Sequence, residues 1–359
     1  MVIQEASYQP DKTMKPALLG KTIEELTEAA LSVGLPKFAG KQLAEWIYLR
    51  RATTFVEMTN ISGKGRTALA EQYCIGRKQP VAEAVSEDGT KKYLFETAEG
   101  QFVEAVYIPD DDRATICVST QAGCKMGCKF CMTGTLGFHG HLSATEILNQ
   151  IFSIPDSERL TNIVYMGEGE PCENIDAVLR SIDIMTAPYG CQWSPRRITV
   201  SSVGYIPGLK RLLQESDCHV AISLHNPFPT ERQEIMPIEK VYPISDVLAL
   251  LKQYDFRHQR RISFEYIMFG GKNDSLRHAN QLRRLLKGFD CRINLIRFHE
   301  GAEEKSNTHL SLQGSSPEQM IRFRDYLSDN GITTTIRRSR GEDILAACGM
   351  LVNALQEKE

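Results

Sequence analysis

Three cysteines fall within eight positions of this chain, Cys124-Lys-Met-Gly-Cys128-Lys-Phe-Cys131. Cysteine thiolates are the usual protein ligands of iron–sulfur clusters. Three of them hold three irons of a 4Fe-4S cluster and leave the fourth open to an outside chelator, such as the amino and carboxylate groups of an amino acid. A zinc ion would require a fourth protein ligand, and His139 and His141 lie close enough in sequence to keep that alternative open. Three unligated cysteines at this spacing are the least favoured reading.

A second chemical segment is Gly167-Glu-Gly-Glu-Pro171. Glycines let a backbone approach a ligand closely, and the carboxylate of Glu170 suits an ammonium group. Alone, such a segment after a strand is more often only a turn; after a cysteine triplet in the preceding unit it gains weight. Two further cysteines stand apart: Cys117, just before the triplet, and Cys348 in GEDILAACGML. Cys74, Cys172, Cys191, Cys218 and Cys291 lack ligand spacing and read as free thiols that pack as small apolar groups.

The elements that must position these residues are legible as pattern. The chain has 359 residues, which implies one large domain with an appendage, or two domains. The apolar fraction of 42% supplies a substantial core, and no apolar run approaches the roughly 20 residues of a membrane span. The start MVIQEASYQPDK lacks the charged-then-apolar layout of a secretory signal, so a cytoplasmic protein with no membrane partner is expected. The formal net charge of −3 does not favour nucleic acid, which usually leaves a basic footprint. Arg50–Arg51, Arg196–Arg197, Arg260–Arg261 and Arg337–Arg338 could still cluster on one face; the plainer reading of any single pair is solvated surface.

Residues 1–15 read as a loose arm. Thr22-Ile-Glu-Glu25 is a capping box opening a helix to about Ser32, broken at Gly34–Pro36, and Lys41–Arg51 and Gly65–Tyr73 read as further helices. Lys92–Glu96 and Phe102–Ile108 form a hairpin pattern around Gly100. Strands are then expected at Ala114–Ser119, Asn162–Met166, Arg197–Ser202, His219–Leu224, Ile262–Met268 and Arg292–Ile296. Helices lie between them, one opened by the capping box Ser143-Ala-Thr-Glu146, others at Asp176–Met185, Ile244–Tyr254 and Leu276–Leu286. Strand–helix alternation means a parallel sheet with right-handed crossovers, and six units make an incomplete barrel. The expected class is α/β: a partial (βα)6 barrel with a small amino-terminal helical domain and a carboxy-terminal strand–helix extension, Thr333–Ile336 and a helix from about Asp343. The expected division is 1–90, 91–300 and 301–359.

The cysteine spacing, with Phe130 before the last cysteine, resembles the pattern of radical S-adenosylmethionine (SAM) enzymes. The set CVSTQAGC from Cys117, MGEGEP, ISLH from Ile222, INLI from Ile293 and RGEDILAACG from Arg340 closely resembles the RlmN/Cfr family of radical-SAM RNA methyltransferases. The resemblance runs from about Lys92 to the carboxy-terminal region, and more loosely into the amino-terminal module through KQLAEWIY. It implies methylation of carbon 2 of an adenine in 23S rRNA and tRNA, a centre without a nucleophilic lone pair. The alternatives are a Cfr-like carbon-8 methyltransferase, another kind of radical-SAM enzyme and a non-catalytic metal-containing RNA-binding protein. On the family pattern Cys124, Cys128 and Cys131 hold the cluster, and two SAM molecules serve each turnover. The first methylates Cys348. The second is cleaved to a 5′-deoxyadenosyl radical, which activates that methyl group for addition to the adenine. Cys117 then attacks the sulfur of Cys348, releasing methylated RNA as a disulfide forms. Glu104 matches the base that takes the adenine proton; without the resemblance it reads as a solvent-facing hairpin carboxylate. Expected SAM contacts are Gly169, Glu170, Ser201, Ser223, Leu224 and His225. The chain departs from the family at Glu168, in place of methionine, and at His299, in place of an asparagine that contacts SAM. Glu168 would put a negative charge beside the cofactor, and an imidazole can replace an amide as donor or acceptor. An electron donor such as flavodoxin and a monomeric state complete the expectation.

Overall fold

The computed structural model describes residues 15–256, 261–299 and 312–351. Most of the amino-terminal arm, Arg260 and the last eight positions lie outside them.

The helical module comes first: α1 (Ile23–Ser32), α2 (Ala39–Ala44), continued by a wider turn to Leu49, and α3 (Gly63–Gln72). The capping box of α1 is present, with Thr22 N–H donating to Glu25 Oε2 at 2.8 Å. The helix stops where Gly34 takes a left-handed φ of 75°. Leu26, Leu43, Ile47 and Leu69 form the module's buried face.

A meander of β1 (Ala82–Val85), β2 (Lys91–Glu96) and β3 (Phe102–Asp110) follows, each strand antiparallel to the next. The sheet therefore starts at Ala82, ahead of the boundary expected near residue 90. β4 (Arg113–Cys117) pairs antiparallel with β3 and opens the parallel series. β5 (Gln121–Gly123) and β6 (Phe138–His141) form a separate two-stranded sheet that brackets the three cysteines. The alternation then runs α4 (Ala144–Phe152), β7 (Asn162–Tyr165), α5 (Ile175–Thr186), β8 (Ile198–Ser202), α6 (Ile206–Glu215) and β9 (His219–Ser223). It continues through α7 (Pro229–Ile235), α8 (Ile244–Leu251), β10 (Ile262–Met268), α9 (Leu276–Leu285), β11 (Cys291–Arg297), α10 (Pro317–Asp329) and β12 (Thr333–Ile336).

The ten main strands form one sheet in the order β1-β2-β3-β4-β7-β8-β9-β10-β11-β12. Every pair from β4 to β12 is parallel. With β1 and β12 as edges the sheet stays open, the incomplete barrel expected from six units plus a last strand. Every residue of β10 is buried, as befits a strand covered on both faces. Cys172 and Cys218 pack fully buried in the core, as apolar fillers should.

The helix expected from about Asp343 does not form among the described residues. Glu342–Ile344 makes one tight turn, flanked by Gly341 and Leu345 at φ 62° and 53°. Two left-handed residues so close together break any α-helix. Asp343 is also held sideways, accepting from Ser86 Oγ at 2.5 Å and from Glu87 N–H at 3.2 Å.

Candidate active site

Ligands of open parallel sheets bind beyond the carboxyl ends of the strands, and the candidate residues meet there. The cysteine triplet follows β4 and β5, the Gly167–Pro171 turn follows β7, Ser201 lies in the last pleat of β8 beside its final Ser202, and Ser223 ends β9. Together they line one cavity that opens to solvent. Cys348 reaches this cavity from the carboxy-terminal loop.

Cys124, Cys128 and Cys131 share the cavity wall. Burial pushes the Cys124 thiol up to about 12 and raises Cys128 and Cys131, and the neighbouring thiols raise Cys128 further. Such crowded, buried sulfurs ionise only when a cation joins them, which is the chemistry of a cluster ligand set. Among the described residues, no group of three His, Cys, Asp or Glu is pre-gathered around a metal point. The zinc alternative loses its fourth ligand. His139 Nε2 engages Leu136 O at 2.9 Å, His141 Nδ1 pairs with Gln121 at 3.1 Å, and neither lines the cavity.

Gly169 sits at φ 93°, and an added Cβ would lie 2.5 Å from Gln121 Cβ. Only glycine fits, and its bare backbone faces the cavity. Glu170 is buried beside it, with Oε1 accepting from Cys172 N–H at 3.0 Å and Oε2 from Val203 N–H at 2.9 Å. Burial raises its carboxyl to about 7, so an incoming ammonium group would favour its charged form. His225 takes a left-handed φ of 54°, and its Nδ1 accepts from Ile267 N–H at 3.0 Å. Burial, then the Arg232 charge, lowers it to about 3. The imidazole is therefore neutral, with Nε2–H as a donor on the cavity wall. Arg232 is fully buried and gives its guanidinium to the carbonyls of Leu224, Val203 and Ser223 and to the Glu239 carboxylate.

Two expected SAM contacts lie elsewhere. Leu224 is fully buried behind the cavity wall, its N–H bonded to Glu265 O at 3.0 Å. His299 lines a small adjoining cavity with Cys348, pairing with Ser339 Oγ at 2.8 Å and Glu342 at 3.4 Å. Glu168 also turns away from the cavity. It is buried, and its Oε1 accepts the Glu104 backbone N–H at 2.8 Å. Burial raises its carboxyl to about 8, so at neutral pH it adds no full charge beside a cofactor.

Glu104 is not a solvent-facing hairpin carboxylate: it is 2% exposed and pairs with Lys92 Nζ at 3.0 Å. Lys92 Nζ also lies 3.4 Å from Leu345 O, on the loop that leads to Cys348. Cys117 packs under that loop against Ala346 and Leu351. Burial raises its thiol to about 12, and the next contribution is the charge of Cys348. The structure thus brings the two remote cysteines together as free thiols, Cys348 opening to the cavity and Cys117 buried behind it.

Sequence reasoning missed Arg337 and Glu265, both on the cavity wall. Arg337 had been grouped with the surface arginine pairs; it points inward instead. Arg51 also turns inward, over the Phe152 ring at 5.3 Å, whereas Arg50 stays exposed over Trp46.

Comparison with known proteins gives the family. Residues 118–286 match the Radical SAM superfamily model, and residues 17–75 match the ribosomal RNA large subunit methyltransferase N-terminal domain. A probable dual-specificity RNA methyltransferase RlmN of Phocaeicola vulgatus is 55% identical over 97% of this chain and 98% of its own. A dual-specificity RNA methyltransferase RlmN of Geobacter sulfurreducens is 40% identical over 94% and 92%. The crystal structure of a radical SAM methyltransferase from Sphaerobacter thermophilus superposes with a TM-score of 0.85 at 37% identity, covering 93% of this chain and 98% of that one. With its cysteine-lined cavity at the sheet's carboxyl end and relatives alike along nearly their whole length, the chain belongs to the RlmN family of radical-SAM RNA methyltransferases.

Proposed function

We propose that this enzyme methylates carbon 2 of an adenine in 23S rRNA and in tRNA, with Cys348 as methyl carrier and Cys117 as the resolving thiol. One observation carries the reading: Cys348 opens into the cavity shared by the three cysteines and Gly169–Glu170, and Cys117 is buried under the same loop against Ala346. A non-catalytic RNA-binding protein has no use for that arrangement.

Cys124, Cys128 and Cys131 hold a 4Fe-4S cluster, which when bound supplies the electron that cleaves SAM. The Gly169 backbone and Glu170 receive the methionine end of SAM, and Ser201, Ser223 and the His225 Nε2–H offer polar contacts to the rest. Two SAM molecules are used in turn. Cys348 loses its proton and takes a methyl group from the first, leaving S-adenosylhomocysteine. After that carbon has been joined to the adenine, Glu104 receives the proton displaced from the ring. In support, Lys92 ties Glu104 to Leu345 on the carrier loop. The Cys117 thiolate then attacks the Cys348 sulfur; the sulfur–carbon bond breaks with its electron pair going to the carbon, which takes up a proton to become the adenine methyl group, and a disulfide closes. His299 serves the adjoining cavity rather than SAM directly. The enzyme works as a cytoplasmic monomer with an external electron donor such as flavodoxin. No helix among the described residues is long and apolar enough to cross a membrane. The segment divisions near residues 90 and 300 remain our assignment of RNA-binding module, catalytic sheet and carrier loop.

The decisive experiment is Cys117→Ala expressed in cells. The variant is expected to load the methyl group and attach to RNA, then stall as a covalent adduct, seen as a nuclease-sensitive shifted band on a denaturing gel. Cys348→Ala is expected to give no adduct and no methyladenosine by mass spectrometry. Normal release of 2-methyladenosine by Cys117→Ala would refute the reading.

A further inference from the structure

Three arginines gather at the end of the barrel opposite the cavity. Arg113 opens β4, Arg261 immediately precedes β10 and Arg292 is the second residue of β11. All three therefore stand at the amino-terminal ends of parallel strands. Side chains alternate faces along a strand, and hydrogen bonds identify the face that lines the barrel interior. Ser263 Oγ donates to Glu265 Oε1 at 3.2 Å, Asn294 Nδ2 donates to the same oxygen at 2.8 Å, and Glu265 reaches the cavity. Arg261 lies two positions before Ser263, and Arg292 two before Asn294, so both start from that inward face. Arg261 begins about 13 Å down the strand from Glu265. Its backbone is fixed there, its N–H donating to His219 Nδ1 at 2.8 Å and its carbonyl accepting from Val220 N–H at 3.1 Å. The sheet inserts β7, β8 and β9 between β4 and β10, yet the charge of Arg113 reaches Arg261. The two approach across the open barrel rather than along the sheet.

Among the described residues, none of these three guanidinium groups makes an ion pair or a hydrogen bond. Asp112 and Asp290, the nearest carboxylates in sequence to Arg113 and Arg292, pair with neither. Arg292 Nε is buried without an acceptor, which costs free energy until a partner is supplied. Partial desolvation, then the charges of Arg292, Arg113 and Arg337, disfavour the Arg261 cation, with Glu265 opposing them. Converging like charges destabilise a fold unless an anion joins them, and the planar fork of a guanidinium matches the oxygens of a phosphate. We infer that the amino-terminal mouth of the barrel is a binding site for a phosphate-type oxyanion, held by Arg113, Arg261 and Arg292. The inference is independent of the methyl-carrier reading, because the site lies at the other end of the strands from the cavity that would take the adenine. Its chemistry suits a phosphate group on a small molecule or one in the RNA backbone.

The test is calorimetric titration of inorganic pyrophosphate into the full-length, cluster-loaded protein, kept anaerobic and held at fixed ionic strength with chloride. Saturable binding is expected, and Arg261→Gln and Arg292→Gln should each weaken it about tenfold. Arg322→Gln, exposed on α10, should leave it unchanged. Melting temperature checks the same point without relying on affinity. Pyrophosphate should raise that of the parent and leave that of the Arg261→Gln/Arg292→Gln double variant where it is. RNA titrated in the same buffers separates the two sources. If the site takes an RNA phosphate, RNA displaces pyrophosphate, and the double variant lowers the salt slope of RNA affinity by about one or two. If it takes a small phosphate compound, pyrophosphate binds the RNA-loaded enzyme equally well, and the double variant keeps the parent's RNA affinity. No saturable binding by the parent, or equal weakening by Arg322→Gln, overturns the proposal.

Discussion

The backbone N–H of Met132 donates to the carbonyl of Gly349 at 2.9 Å, joining the residue after Cys131 to the residue after Cys348. Thr133 Oγ1 adds a second tie to Leu351 O at 3.2 Å. The cysteine loop and the carrier loop are therefore one hydrogen-bonded unit at the cavity mouth, and order in one should depend on order in the other.

Removing the cluster should loosen the carrier loop. Cys131→Ala is expected to lose iron and the ability to cleave SAM, because a methyl group cannot ligate iron. Hydrogen exchange at residues 346–351 should rise in the same variant, while exchange in β10 and β11 stays slow. Unchanged protection of 346–351 in the iron-free protein would show that the two loops are ordered independently.

Glu168 should make stability depend on pH. Its folded-state carboxyl, raised to about 8 against an unfolded value near 4.5, keeps a proton that the unfolded chain releases. Stability therefore falls as pH rises between those values and levels off above about 8. Glu168→Gln keeps an oxygen for the Glu104 N–H and removes the titration. It should be more stable than the parent by about 1–3 kcal/mol at pH 8, with the difference vanishing near pH 4. Urea midpoints at the two pH values decide this; equal differences at both would exclude a buried titrating carboxyl.

Arg232 and Glu239 form a buried ion pair, 0% and 4% exposed. Glu239→Gln leaves the guanidinium charge unpaired and should cost about 3–5 kcal/mol. Combining Arg232→Met with Glu239→Leu should recover part of that loss in chemical denaturation. SAM affinity should stay low in the double variant, however, since Val203, Ser223 and Leu224 lose the group that fixes their carbonyls.

The cysteine triplet, the glycine turn and the strand order were legible because each rests on local spacing or alternation. The same is true of both capping boxes, at Thr22 and Ser143, where one side chain and the amide three positions on settle the geometry. What escaped depended on contacts between distant segments. Glu104 lies on a strand whose exposed-looking face is covered by the carrier loop, so alternation alone mislabels it. Arg337 looks like half of a surface pair until β12 is laid beside β11 and the side chain is seen to enter the cavity. The helix expected from Asp343 fails because the turn at Ser86–Thr90 supplies competing partners, Asp88 for Gly341 N–H and Ser86 for Asp343. His299 replaces an amide in a familiar segment, but Ser339 and Glu342 claim its ring.

The latch between Asp343 and the Ser86–Glu87 turn also has a meaning for biosynthesis. The ribosome makes the iron-binding cysteines long before it makes Arg337 and Cys348. A nascent chain can thus complete nearly all of its sheet while its cavity still lacks Cys348 and one wall. Its hairpin waits with Ser86 and Asp88 unlatched until the final segment emerges from the exit tunnel and docks. On the proposed chemistry, methylation is in this way coupled to synthesis of the segment that carries Arg337 and Cys348, and a product terminated before it retains a cysteine triplet but not the proposed methyl carrier.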